Sequence, residues 1–172
     1  MSIIADLSDE QCHITEVLSS FPYCTISVLP LVWRGGMKEQ IDEDNMIRVL
    51  IVDDQPVVRR GLRVRFQLEP DMQVIGEAST GSDALTLAQI LTPDVVLMDI
   101  EMPDMDGIEA TVALRTVVPQ SAVVILSIHT DRQTRMKAQA AGAVAFVEKR
   151  GTTDILLAAI RQAAGRTGNS LE

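Results

Sequence analysis

Val49-Leu50-Ile51-Val52-Asp53-Asp54 is an unbroken apolar run that ends in two carboxylates. Two further stretches have the same form. Val95-Val96-Leu97-Met98-Asp99-Ile100-Glu101-Met102-Pro103 closes its apolar run with a carboxylate, and Ala143-Val144-Ala145-Phe146-Val147-Glu148-Lys149 ends in a lysine. A strand that faces water on one side alternates apolar and polar residues. Continuous apolar runs instead read as strands of a parallel sheet covered on both faces. Ligands of open α/β sheets sit outside the carboxyl ends of the strands. Three acids and one lysine are therefore expected to converge on one edge of one sheet. An acid cluster facing a lysine suits a divalent cation and a phosphoryl group.

Around these runs the pattern alternates strand and helix, which implies right-handed βαβ units. Strands are expected at about 47–53, 73–77, 94–99, 122–127 and 143–147. The first helix runs from about Pro56, well suited to a first turn, to Leu68, with Val58, Leu62 and Phe66 facing the sheet. The second spans about 82–91, with Gly81 or Ser82 near its cap. The third starts after Gly107 and ends before Pro119, with Asp104 and Asp106 as turn residues beside its start. The fourth spans about 131–140, and the fifth opens near Thr152 or Thr153 and closes at Gly165. Five strands and five helices predict a flavodoxin-like α/β fold. It is a doubly wound five-stranded parallel sheet of order 2-1-3-4-5 with helices on both faces.

Composition agrees with one domain. The 172 residues are 47% hydrophobic but only 3% aromatic, so the core must be Val, Ile, Leu, Ala and Met. The net charge of −9 disfavours direct nucleic-acid binding by this chain. That charge is uneven: residues 1–45 carry eight acids and two bases, and the rest carries sixteen acids and thirteen bases. Residues 1–45 fall outside the strand pattern and read as a leader or linker, either an upstream start-site extension or an appendage. Cys12 and Cys24 both lie there without neighbouring metal ligands. They read as free thiols of a cytoplasmic protein, with a leader disulfide as the alternative. The apolar stretch Phe21 to Trp33 is too short for a bilayer and is broken by Pro22 and Pro30, so no membrane partner is expected. The domain proper is expected over residues 46–166, and 167–172 as a frayed tail.

The three runs and their terminal residues resemble the receiver domain of two-component response regulators, from about Ile47 to Gly165. Asp99-Ile100-Glu101-Met102-Pro103 and Leu156-Leu157-Ala158-Ala159-Ile160-Arg161 look like the branch that carries helix-turn-helix DNA-binding outputs. The resemblance implies Asp99 as phosphoacceptor for a sensor histidine kinase or phosphotransfer protein. It implies Asp53, Asp54 and Asp99 as carboxylates for Mg²⁺, with the backbone carbonyl of Glu101 as a further ligand. Lys149 and Ser127 would contact the phosphoryl oxygens, and Phe146 would be an aromatic switch. Glu101 and His129 would flank the phosphoryl group and tune its lifetime. The chain departs from many receivers at Arg150, where they carry proline, so a cis bond there is not expected.

Each residue also has a plainer reading. A strand-end aspartate can simply be solvated, Ser127 can satisfy its own backbone, Phe146 can be core, and Glu101 and His129 can be loop residues. The constellation, rather than any single residue, carries the functional reading. A haloacid-dehalogenase-type phosphotransferase is the enzymatic alternative. It would want Asp rather than Glu101 two residues after the nucleophile, and a cap insertion. A nucleotide- or flavin-binding module would want a glycine-rich loop after the first strand. As for output, the chain reads as part of a transcriptional regulator or as a stand-alone phosphorelay receiver. Ile155, Leu156, Leu157 and Ile160 supply more apolar surface than one buried stripe needs. A weak homodimer on phosphorylation is therefore expected, through helices one and five or the face from helix four to helix five.

Overall fold

The computed structural model describes residues 46–165; the expectations for 1–45 and 167–172 lie outside the described residues. The chain folds as β1 (Ile47–Val52), α1 (Pro56–Phe66), β2 (Met72–Ala78), α2 (Gly81–Leu91), β3 (Val95–Asp99), α3 (Gly107–Val117), β4 (Ala122–Ser127), α4 (Arg132–Ala141), β5 (Ala145–Glu148) and α5 (Thr153–Ala163). The strands are parallel in the order β2-β1-β3-β4-β5. This is the predicted topology.

Side chains alternate between two cores, one on each face. Val49, Ile51, Val95, Leu97, Val124 and Leu126 meet Phe66 of α1 and Leu156, Leu157 and Ile160 of α5. Leu50, Val52, Val96, Met98, Val123 and Ile125 meet Ala84 and Ala88 of α2, Ala110 and Leu114 of α3, and Ala138 of α4. Both faces are dry, which is why β1, β3 and β4 read as continuous apolar runs. The helices of the second face present mainly alanine to the sheet and α1 and α5 present larger side chains.

Several boundaries differ from the sequence reading for local reasons. The cap of α2 is Thr80, not Gly81 or Ser82: its Oγ1 accepts from Asp83 N at 3.1 Å, while Gly81 is buried against Met105. Asp131 likewise caps α4 rather than starting it, accepting from Thr134 N at 3.0 Å. At α5, Thr152 takes the cap position without a side-chain bond, and Gly165 has φ +72° just past the helix end. β5 begins at Ala145, two residues later than predicted. No described peptide bond is cis.

The spare apolar surface expected on α5 is largely absent. Leu156, Leu157 and Ile160 are all buried in the domain's own core, and Ile155 alone of the four stays outside, 57% exposed. α5 is further tied to the start of β2 by Arg161. Its guanidinium donates to both Asp71 oxygens at 2.7 and 2.8 Å and to Glu69 at 2.8 Å. α4 is held differently. It buries only Ala138 and Ala141, near its C-terminal end, where Gly142 (φ +102°) lies under the Arg115 side chain of α3 so closely that a Cβ would stand 2.1 Å from Arg115 Cδ.

Candidate functional site

β1, β3, β4 and β5 all end at one edge of the sheet, and each delivers a site residue there. Asp53 follows β1, Asp99 is the last residue of β3, Ser127 the last of β4, and Lys149 follows β5. Carboxylate oxygens of Asp53, Asp54 and Asp99 lie within 4.8 Å of one another. Asp53 and Asp99 are buried, 1% and 3% exposed, whereas Asp54 is exposed.

Lys149 Nζ stands between the two buried acids, 2.6 Å from Asp99 Oδ2 and 2.8 Å from Asp53 Oδ2. It donates an aligned hydrogen bond to Asp99. The Asp53 oxygen, although buried and in ion-pair range, lacks an aligned hydrogen-bond partner. Asp53 Oδ1 accepts from Gln55 N at 2.9 Å, and Asp99 Oδ1 from Ile100 N at 2.8 Å. The backbone N–H of Lys149 donates to Ser127 O at 2.9 Å, so the ends of β4 and β5 are joined beneath the site.

These contacts set the electrostatics. Burial pushes the Asp99 carboxyl above its ordinary value. The Asp53 charge adds to that, while Lys149 and the Ile100 N–H oppose it. Burial by itself would lower Lys149, but the Asp53 and Asp99 carboxylates outweigh it and hold the ammonium above the usual lysine value. A buried carboxylate oxygen with no hydrogen bond, beside two more carboxylates, is the donor set a hard divalent cation uses.

The remaining expected residues surround this centre. Ser127 is fully buried, and its Oγ accepts from His129 N at 3.0 Å. Glu101 and His129, on the loops after β3 and β4, bond to each other, Nε2 to Oε1 at 2.7 Å. Phe146 on β5 is half-buried beside Ala143 and the second core, with the Arg135 guanidinium 4.8 Å over its ring.

Three residues at the site were not singled out from sequence. Gly107 comes so close to β3 that a Cβ would stand 1.9 Å from Asp99 O, and its N–H donates to Ile100 O at 3.0 Å. Glycine is therefore required where the β3–α3 loop folds back. Sequence reading took it only as a helix boundary. Arg135 covers Phe146, and the residues are eleven apart on different elements. Arg59 of α1 reaches back to the backbone carbonyls of Asp53 and Asp54, which no spacing rule for charged residues would indicate.

Comparison with known proteins agrees with this geometry. The family described as "Response regulator receiver domain" matches residues 49–161. The Bacillus subtilis transcriptional regulatory protein LiaR is 40% identical over 119 residues, 69% of this chain and 56% of that protein. A Myxococcus xanthus protein-glutamate methylesterase/protein-glutamine glutaminase is 43% identical over 108 residues, 62% of this chain and 31% of that protein. The chain thus spans about half the length of the transcriptional relative and a third of the methylesterase. Among solved structures, the signal receiver domain of the NarL regulator from Mycobacterium tuberculosis superimposes with a TM-score of 0.66 at 35% identity. It covers 71% of this chain and 99% of that domain. No helix among the described residues is long and apolar enough to cross a membrane.

Proposed function

The chain belongs to the response regulator receiver family, and on that premise we propose that Asp99 is the phosphoacceptor of a two-component signalling pathway. A receiver is a regulated, non-enzymatic module whose partner is a histidine kinase, so the haloacid-dehalogenase alternative falls away. The observation that carries the proposal is the pairing of Asp99 Oδ2 with Lys149 Nζ beside Asp53 and Asp54. A nucleophilic carboxylate, acids for a cation and a mobile positive charge are the parts that phosphoryl transfer needs.

In this reading an Asp99 oxygen attacks the phosphorus of a phosphohistidine. The P–O bond forms as the P–N bond breaks, and the electron pair returns to the departing imidazole. The Ile100 N–H fixes the rotation of the carboxylate. Lys149 transfers its charge from the carboxylates to the phosphoryl oxygens. The Ser127 hydroxyl accepts from His129 N, so its own proton is available to donate to a phosphoryl oxygen. Asp53, Asp54, Asp99 and the Glu101 carbonyl would hold Mg²⁺, which supplies the positive charge that lets anions approach. The added charge, about −1.5 to −2, draws Ser127 and Lys149 inward. Phe146 follows, and the surface of α4, β5 and α5 changes.

Incubating the chain with a small acyl-phosphate donor and Mg²⁺, trapping the adduct and mapping it by mass spectrometry tests this. Labelling of Asp99 that chelator abolishes is expected. Label that persists in Asp99→Ala would overturn it. Residues 1–45 supply none of these side chains, and we assign the receiver to 46–166. A protein starting at Met46 should label at the parent rate.

We further infer that the receiver acts within a cytoplasmic transcriptional regulator, on the strength of its similarity to LiaR. A weak homodimer on phosphorylation is part of this reading, supported by exposed Val57 and Val64 on α1, Leu68 just after it, and Ile155 on α5. Sedimentation profiles that are identical with and without a beryllofluoride mimic would count against it.

A further inference from the structure

We propose that Arg59 is a positioning residue of this site, which aims the Asp53 and Asp54 carboxylates by gripping the backbone that carries them; the proposal rests on the phosphoacceptor reading above. Asp53 and Asp54 lie in the short turn between Val52 and Pro56, outside both strand and helix. From α1, the Arg59 Nη1 donates to Asp53 O at 2.7 Å and to Asp54 O at 3.3 Å. One guanidinium nitrogen thus spans both peptide units whose side chains face the cation position. Asp53 N is anchored separately, donating to Ala78 O at 3.2 Å. The turn is consequently held on both sides of Asp53, and the direction of its buried carboxylate follows from the backbone.

The rest of the guanidinium is arranged around that grip. Glu77 of β2 stands 3.4 Å from Arg59 Nε and 2.9 Å from Arg63 Nη1. The Arg59 Nε is buried and makes no aligned hydrogen bond. A buried donor without an aligned hydrogen bond is unfavourable, so the orientation, although in ion-pair range of Glu77, is not the one that would best satisfy it. It is the one that brings Nη1 to the two carbonyls. A lysine, a point charge without a planar fork, would not reproduce this placement. Arg63 provides the internal comparison, since it shares Glu77 but touches neither carbonyl.

A site whose acids are misdirected should bind its cation more weakly and, once the cation is bound, transfer phosphate normally. The test follows phosphorylation of the full chain by an acyl-phosphate donor as Mg²⁺ is varied, beside direct calorimetric titration of Mg²⁺ alone. Arg59→Met is expected to raise the half-saturating Mg²⁺ about tenfold with a plateau rate within twofold of the parent. Arg59→Lys should fall between, and Arg63→Met should match the parent. Circular dichroism reports folding, and if Arg59→Met does not fold, the shift must be present in Arg59→Lys. Unchanged half-saturation in a folded Arg59 variant overturns the proposal, as does a lowered plateau at unchanged half-saturation. An equal shift in Arg63→Met also overturns it, because loss of charge near Glu77 would then suffice. A parent that fails to label at any Mg²⁺ concentration overturns the phosphoacceptor reading itself, and this one with it.

Discussion

His129 and Glu101 are hydrogen-bonded to each other, Nε2 to Oε1 at 2.7 Å, joining the loop after β4 to the loop after β3. Both side chains are about half exposed, 53% and 56%. His129 is held a second time, through its backbone N–H on Ser127 Oγ. An exposed pair of this kind adds little to stability, so its effect should be sought in what reaches Asp99.

Glu101→Ala and His129→Ala should each change the lifetime of the phosphoryl group and leave stability within about 0.5 kcal/mol. Residues in contact are not additive. The double variant should therefore match one of the single variants rather than combine both changes. Dephosphorylation timed in all three decides it; decay at the parent rate throughout would make them plain loop residues.

Asp99→Asn should stabilise the domain. The folded-state pKa of Asp99 is raised by burial, so the native state holds the proton more tightly than the unfolded chain. Its favourable contribution is present below the unfolded carboxylate value and is lost as pH rises through the raised one. At neutral pH the ionised group is a net cost. Without Mg²⁺, the variant should melt a few degrees higher near pH 7, and the gap should close on acidification. Equal melting temperatures at both pH values would refute this.

Lys149→Met should act in the opposite direction. It leaves two buried carboxylates without their cation (the lysine side chain is 13% exposed), a loss of roughly 3 kcal/mol for a broken buried pair. The raised folded-state pKa of Lys149 means that its contribution is complete below the unfolded lysine value, about 10.4. That contribution disappears as pH rises through the folded value. Denaturant melts from neutral to strongly alkaline pH should show this step in the parent and not in the variant. Mg²⁺ should restore much of the variant's stability.

Gly107→Ala forces the β3–α3 loop away from Asp99 O. Overpacking of this kind costs about 1–3 kcal/mol, and misplacing the nucleophile should slow labelling about a hundredfold. Labelling at the parent rate would show that the loop can shift without carrying Asp99 along.

Topology was legible because β1, β3 and β4 are dry on both faces and their terminal residues are chemically distinctive. Asp53, Asp54, Asp99 and Lys149 could be placed on one edge from the strand pattern, and Ser127 was added by the resemblance. What spacing could not convey was contact between elements. The Glu101–His129 bond, the Arg135 guanidinium over Phe146 and the grip of Arg59 on two carbonyls depend on loop paths and rotamers. The excess apolar content of α5 misled because one buried stripe is wide enough to take the neighbours Leu156 and Leu157 together with Ile160, which leaves only Ile155 of the four outside.

α4 and α5 are seated unequally on the domain. Arg161 bolts α5 to the start of β2, whereas α4 buries residues only near its C-terminal end, Ala138 and Ala141 beside the Gly142–Arg115 contact, and nearer its start lays the Arg135 guanidinium over Phe146. The cap of α4 is Asp131, four residues after Ser127. On the proposed reading, a displacement of Ser127 would therefore reach the signalling surface first through the start of α4, whose residues before Ala138 are not buried.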